Sequence, residues 1–298
     1  MPKETRSGAA YALGAFFLWG ISPLYFKAVD EIPIFEVLAH RVLWSVIFLF
    51  LLLTVSRRWA ALRQALCEPR TLYMLMLSTL VVSVNWFFFI WAITTDRVLE
   101  SSLGYYINPL VNVLLGTLFL RERLTKWQIV AVGLAAVGVL NLAVQVGTMP
   151  WVSLLLASTF GIYGLIRKTI KVESVDGLFV ETSMVLPIAL GYLAYQAING
   201  QGAIGAIDLR TDLLLIAAGL VTAIPLIWFT CGARRLNYST VGLFQYLAPT
   251  CQFFLAVLVF GEAFTWAHLV TFSCIWTALA IYSAQSWLIA RRRASVLA

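Results

Sequence analysis

The sequence predicts an all-α membrane protein of ten transmembrane helices, arranged as two inverted five-helix repeats. Three observations support this prediction: an apolar composition, ten apolar runs of spanning length, and an alternating distribution of basic residues. Of 298 residues, 61% are hydrophobic and only 12% are charged, whereas soluble domains carry roughly 25% charged residues. A soluble fold of this size cannot bury so much apolar surface, so the expected solvent is lipid.

The ten spans follow from apolar runs of about 20 residues. The first run follows Lys3 and Arg6 and resembles a signal peptide, but it is long enough to span and shows no cleavage site. Residues 56–71 and 199–210 are expected to be loops. The predicted spans are 8–28, 34–55, 72–93, 98–119, 125–145, 149–167, 175–198, 211–233, 239–260 and 265–288.

The basic residues predict the orientation, because they concentrate in cytoplasmic loops. With the N-terminus inside, 17 of the 21 Lys and Arg residues fall in inside segments, and the outside loops hold only Arg97 and Arg210. Both termini are therefore expected in the cytoplasm. The formal charge of +7 is explained by these short clusters, so no nucleic-acid partner is expected.

No motif indicates a metal, a cofactor or catalysis. The sequence has no HExxH, DDxxD or HxxxxD motif and no P-loop, which disfavours a membrane enzyme and ATP-driven transport. The cysteines form no CxxC pair and no ligand spacing with His40 or His268. They are Cys67, Cys231, Cys251 and Cys274.

An internal repeat divides the chain into residues 1–145 and 146–298. At an offset of 140, residues 103–125 align with 243–265 without a gap, and at 141 Gly20 aligns with Gly161 and Lys27 with Lys168. Each half holds five spans, an odd number, so the second half must have inverted topology, as in many secondary transporters. The aligned pairs include Tyr106 with Tyr246, Pro109 with Pro249, Glu122 with Glu262 and Thr125 with Thr265.

The five-plus-five arrangement resembles the EamA branch of the drug/metabolite transporter superfamily. Four segments are similar to the RarD group of that branch: residues 20–27 (GISPLYFK), 36–41 (EVLAHR), 84–86 (VNW) and 103–110 (LGYYINPL). The resemblance implies a multi-pass carrier of small molecules in the bacterial inner membrane. It supplies no catalytic or binding residues to transfer, and the group's chloramphenicol label describes a phenotype.

Ionisable residues inside a bilayer are usually functional. Glu36, His40 and Arg41 lie in the outer part of the second span, and an isolated Arg41 would cost about 2.5–3.5 kcal/mol. We expect Glu36 to compensate Arg41, and His40 to hold an outer gate or carry a proton. Glu181 lies at a comparable depth on the other side and is the corresponding inner-gate candidate. The alternative is that Arg41 extends to the interface and Glu36 lies among the headgroups.

Two prolines predict interrupted helices at matching positions of the fourth and ninth spans. Pro109 and Pro249 free the carbonyls of Tyr105 and Gln245, and such breaks typically mark a midplane substrate site. The alternative is a structural kink with satisfied polar neighbours. The substrate-site candidates are Tyr105, Tyr106, Asn108, Gln245, Tyr246, Asn85 and Trp86.

The expected function is secondary transport by alternating access, of a small neutral or zwitterionic metabolite or drug-like molecule. The alternatives are a polytopic membrane enzyme and a channel. The expected partners are the substrate and the lipid bilayer, and the protein is expected to be a monomer or homodimer.

Overall fold

The computed structural model of the chain describes residues 3–120, 125–147, 149–170, 172–233, 235 and 244–297, and no strand occurs among them. The helices of the first half are α1 Lys3–Lys27, α2 Ile34–Val55, α3 Trp59–Leu66, α4 Pro69–Thr94, α5 Val98–Leu120 and α6 Lys126–Val146. Those of the second half are α7 Trp151–Thr169, α8 Ser174–Ile198, α9 Leu209–Ala233, α10 Leu247–Phe254 and α11 Trp266–Leu297, with a π-helical turn at Leu255–Val259.

The surface of the helices is apolar, as a bilayer requires. Val55, Val144, Leu118 and Ile198 are among the large apolar side chains that stand exposed. Within the described residues, α1, α2, α4, α8, α9 and α11 are long and apolar enough to cross a membrane. Shorter apolar helices occur in α6, in α7 and in α10 with its π turn. The chain is therefore a multi-pass membrane protein.

The main contacts join helices of different halves of the chain. In the first half, α1 packs against α9 and α10, and α2 packs against α8 and α9. In the second half, α7 packs against α4 and α5, while α6 pairs with α11. The largest buried cluster includes Tyr106, Leu156 and Phe272 and unites both halves in one core.

Two local expectations are wrong. Residues 56–71 were expected to be a loop but contain α3, whose sequence WAALRQAL carries apolar residues on one face. The fourth span is not interrupted, because α5 continues through residue 109. In the ninth span the chain turns at Gln245 and Tyr246 before α10 begins, so a break exists there, one turn before Pro249.

Glu262 closes one end of the core. Its two carboxylate oxygens accept hydrogen bonds from the backbone N–H groups of Val98 (2.6 Å) and Leu99 (2.8 Å), at the start of α5. Unpaired N–H groups at a helix N-terminus favour such a carboxylate. Burial nevertheless raises the pKa of Glu262. Its repeat counterpart Glu122 lies outside the described residues.

Candidate substrate pathway

Glu36 ties the start of α2 to the loop that follows α8. Its side chain is buried, and Oε1 accepts a hydrogen bond of 2.6 Å from the backbone N–H of Ala203. His40 lies one turn further along, with Nε2 3.9 Å from Glu36 Oε1, which is too long for a hydrogen bond. We call this the Glu36 end of the bundle.

Glu36→Ala should loosen the loop at residues 199–208. The substitution leaves the Ala203 N–H without its charged acceptor, a contribution of about 1.5–3 kcal/mol. We expect amide hydrogen exchange at Ala203 to accelerate at least about tenfold. Glu31→Ala, an exposed change in the turn before α2, is the control and should leave the exchange rate unchanged. Equal rates in the two variants would contradict the contact.

Arg41 of α2 lies close to residues of four other helices. Its side chain is buried, and Nε donates a 2.8 Å hydrogen bond to Thr222 Oγ1 of α9. The guanidinium carbon lies 4.2 Å from the ring centroid of Trp86 on α4, in a cation–π contact. Tyr25 of α1 and Tyr105 of α5 are close enough to interact electrostatically with the same group.

The prediction that Glu36 compensates the charge of Arg41 is wrong. The two residues form no ion pair, because Arg41 turns to Thr222 and Trp86 while Glu36 turns to Ala203. The separation of five residues on one helix already disfavoured a direct pair. Arg41 therefore has no carboxylate partner among the described residues.

Buried polar atoms without protein partners concentrate on α2. Six of the ten such atoms among the described side chains belong to residues 36–45. At 3.6 residues per turn these residues spread over about half of the helix circumference. Native proteins satisfy nearly all buried polar groups, so this part of α2 is the best candidate for the wall of a pathway. The atoms are Glu36 Oε2, His40 Nδ1 and Nε2, Arg41 Nη1, Trp44 Nε1 and Ser45 Oγ.

Glu181 lies in a second buried cluster. Its Oε1 accepts a 2.5 Å hydrogen bond from Ser78 Oγ of α4 and lies 3.7 Å from Arg167 Nη1 of α7. Tyr163 donates a 3.3 Å hydrogen bond to its other oxygen. The cluster thus links α4, α7 and α8 around one carboxylate.

Arg58, just after α2, adds a surface network at the same end. It contacts Glu173 at 2.5 Å and Asp176 at 2.9 Å. Hydrogen bonds to Glu173 and to Asp176 raise the pKa of Arg58 above its ordinary value. We call this the Arg58 end of the bundle; it lies where α2 ends.

The two asparagines chiefly attach α7 to its neighbours. Asn85 donates hydrogen bonds to the Leu156 carbonyl (3.1 Å) and to Thr159 Oγ1 (2.8 Å). Asn108 donates to the Ala157 carbonyl at 3.0 Å, and its own oxygen accepts from Gln245 at 3.3 Å. Both side chains are buried, so their donors serve the protein itself.

The paired tyrosines line one cavity of about 450 Å³ between α5, α10 and α11. Tyr106 is bound there to Thr250 by a 2.6 Å hydrogen bond between hydroxyls. Tyr105 lies elsewhere, with its ring 5.7 Å from Phe89 and 5.8 Å from Phe160. The candidate residues therefore separate into the Tyr106–Tyr246 cavity and a cluster around Arg41. The side chain of Pro109 lies outside the described residues, and Pro249 accepts a hydrogen bond from Ser102 through its carbonyl.

Sequence reasoning missed Thr222, Tyr25 and Arg167. Thr222 is one hydroxyl in an apolar run, and nothing in its spacing indicates a partner 181 residues away. Arg167 is one of the 17 basic residues that predict the orientation, and its position 14 residues before Glu181 in the sequence gives no sign of the 3.7 Å contact between them.

Comparisons with known proteins give the family. A model described as the EamA-like transporter family matches residues 6–144. A protein of Salmonella typhi named RarD is 48% identical over 94% of this chain and 95% of its own length. An uncharacterized transporter of Vibrio cholerae is 46% identical over 94% of this chain and 93% of its own. One crystal structure covers 96% of this chain and 98% of its own with a TM-score of 0.60, at 20% identity, and supports the fold alone.

An all-helical chain with an apolar surface and these relatives is a membrane transporter. The chain belongs to the EamA-like transporter family, in its RarD group. The resemblance in residues 20–27, 36–41, 84–86 and 103–110 is thereby confirmed at the level of the group.

Proposed function

We propose that this protein is a secondary transporter that moves a small amphipathic molecule, neutral overall or zwitterionic, across the bacterial inner membrane by alternating access. Ten spanning helices form two inverted repeats, residues 1–145 and 146–298, with both termini in the cytoplasm. Family membership supports transport, and the matched segment 6–144 corresponds to one five-helix unit. The basic-residue distribution supports the orientation.

The packing of the helices supports the inverted repeat. Under the proposed symmetry α1 corresponds to α7, α4 to α9 and α5 to α10. The contact of α1 with α9 then corresponds to that of α7 with α4, and the contact of α1 with α10 to that of α7 with α5. Each half thus packs against the other in the same way, as a pseudo-two-fold axis requires.

Two pairs of equivalent residues make the same contact between the halves, and this is the observation that carries the proposal. A Cβ added to Gly20 would lie 2.6 Å from Cys251 Cβ on α10. A Cβ added to Gly161 would lie 3.0 Å from Val111 Cγ1 on α5. Gly161 follows Gly20 by 141 residues and Cys251 follows Val111 by 140. Equivalent close contacts across the two halves allow two similar conformations, each open to one side.

The two ends of the bundle provide the corresponding gates. At the Glu36 end, α2 is tied to the loop after α8 through Ala203. At the Arg58 end, the residues after α2 are tied to the start of α8 through Asp176. Each gate is closed by a few polar contacts. These contacts are weak enough for the two gates to open in turn.

Counterflow in liposomes tests this function without a known substrate. Purified protein is reconstituted with a ¹³C-labelled extract of bacterial metabolites inside and an unlabelled extract outside. We expect a small set of labelled compounds to leave faster when the outside contains the same unlabelled compounds. A channel shows no such trans-stimulation, and an enzyme releases compounds of altered mass. Protein-free liposomes are the control.

A further inference from the structure

Resting on the proposed carrier function, we propose that Arg41 binds a carboxylate group of the substrate. The substrate class is a small organic acid or zwitterion with one carboxylate and an apolar or aromatic body. This keeps the zwitterions of the proposed class, adds small monocarboxylic acids and drops neutral molecules that have no carboxylate.

The contacts of the Arg41 guanidinium leave some of its N–H donors without an acceptor. Thr222 accepts a hydrogen bond from Nε at 2.8 Å, and the guanidinium carbon lies over the ring of Trp86, 4.2 Å from its centroid. Nη1 is buried and has no acceptor among the described protein atoms. A planar guanidinium with a fixed orientation and free N–H groups suits a carboxylate, which it binds through paired hydrogen bonds.

The charge of Arg41 also requires a partner. Arg41 is 9% exposed and is the only Lys or Arg in the buried class among the described residues. An uncompensated buried charge is unfavourable, and the carboxylate of Glu36 is used by Ala203 instead. One positive charge is balanced by one carboxylate, which favours that group over a doubly charged phosphate.

Aromatic rings around Arg41 indicate the rest of the substrate. Trp86 is half-buried against the guanidinium, and Tyr105 contacts Phe89 and Phe160. The phenol of Tyr25 donates a 2.8 Å hydrogen bond to the Leu214 carbonyl, which fixes its ring beside the same group. Rings on α1, α4 and α5 thus lie near one cation, and Phe160 of α7 extends this aromatic cluster through Tyr105, an environment that suits an apolar or aromatic body.

The rival location is the Tyr106–Tyr246 cavity. Its lining contains no charged residue, so it would select neutral compounds without preference for an acid. The two locations predict different responses to a change of carboxylate into carboxamide, which keeps the shape and removes the charge.

The test measures binding to the full-length protein in lipid nanodiscs by intrinsic tryptophan fluorescence. The probes are two acid and amide pairs: phenylacetate with phenylacetamide, and phenylalanine with phenylalaninamide. We expect at least one acid to bind about tenfold or more tightly than its amide, and Arg41→Gln to remove this preference. Arg97→Gln, which removes an exposed arginine that stacks on Trp91, should retain it. Equal binding of acids and amides, or no acid bound, overturns the proposal.

Arg41→Lys is a second variant, which keeps the test valid if Arg41→Gln does not fold. It keeps the charge and loses the fork, so we expect the acid to bind about tenfold more weakly while the preference over the amide persists. The comparison of acids and amides on the unchanged protein decides the matter even if both variants are unstable. Acid binding without counterflow would refute the carrier and leave the Arg41 site standing. Counterflow of neutral compounds alone would refute the site and leave the carrier standing.

Discussion

Gly219→Ala is expected to destabilise the protein severely, by at least about 3 kcal/mol, more than typical overpacking of a core. A Cβ at Gly219 would lie 2.5 Å from the carbonyl carbon of Trp44, 2.7 Å from its oxygen and 2.8 Å from the nitrogen of Ser45. These are backbone atoms of α2 and cannot rotate away, so α2 and α9 must separate. The separation also moves Thr222 away from Arg41. The measurement is the thermal unfolding midpoint and the fraction of protein that elutes as a single species in detergent.

Gly133→Ala on α6 is the matched control. It is also a glycine within a helix, but apart from the neighbouring backbone of α6 no described atom lies within 4 Å of an added Cβ. Alanine is favoured over glycine inside helices by about 0.5–1 kcal/mol, so this variant should be neutral or slightly more stable. The two substitutions are thus predicted to differ in their effect on stability: Gly219→Ala lowers it, whereas Gly133→Ala leaves it unchanged or raises it slightly. Similar unfolding midpoints for both would contradict the close packing of α2 on α9.

Glu181→Gln is expected to open the Arg58 end and to reduce counterflow about tenfold or more. The change leaves Arg167, whose side chain is only 12% exposed, without its buried counter-charge. Contacts to charged groups contribute about 1.5–3 kcal/mol, and about 1.4 kcal/mol is tenfold in a population. A gate that no longer closes cannot complete the cycle.

Cysteine labelling measures this opening directly. Thr79→Cys, beside Ser78, is introduced into protein in which the four native cysteines are replaced by serine. We expect an impermeant thiol reagent added at the Arg58 end to label it about tenfold faster when Glu181→Gln is present. Glu68→Gln, an exposed carboxylate at the same end, should leave the labelling rate unchanged. An unaltered rate in the Glu181 variant would show that this carboxylate does not hold the gate.

The helices were largely predictable because lipid imposes a simple requirement on length and polarity. Residues 34–55 were predicted as a span, and α2 has those bounds, since Pro33 precedes the apolar run and Arg57 and Arg58 follow it. α3 was missed because eight amphipathic residues satisfy no spanning criterion. A proline was expected to interrupt α5, but neighbouring helices in membranes often satisfy the freed carbonyl.

The site was less predictable, because side-chain partners depend on tertiary contacts. Buried charge marked Glu36, His40, Arg41 and Glu181 as unusual, and the structure does bury all four. Their partners could not be inferred: Arg41 meets Thr222 on a helix of the other half, and Glu181 meets Ser78. The gating and substrate-binding roles of these residues stay predictions.

Locking each end of the bundle in turn is the most direct test of alternating access. Two double-cysteine proteins are needed, Glu36→Cys with Ala203→Cys and Arg58→Cys with Asp176→Cys, each in the serine background. The native contacts at these positions, 2.6 Å and 2.9 Å, involve side-chain ends and not Cβ atoms. A direct disulfide needs close Cβ atoms, so a reducible bifunctional thiol reagent is used to link each pair. Alternating access predicts that cross-linking of either pair alone stops counterflow and that reductive cleavage of the linker restores it. Counterflow that persists with either end locked, or that stops at one end only, would contradict a carrier whose two ends open in turn.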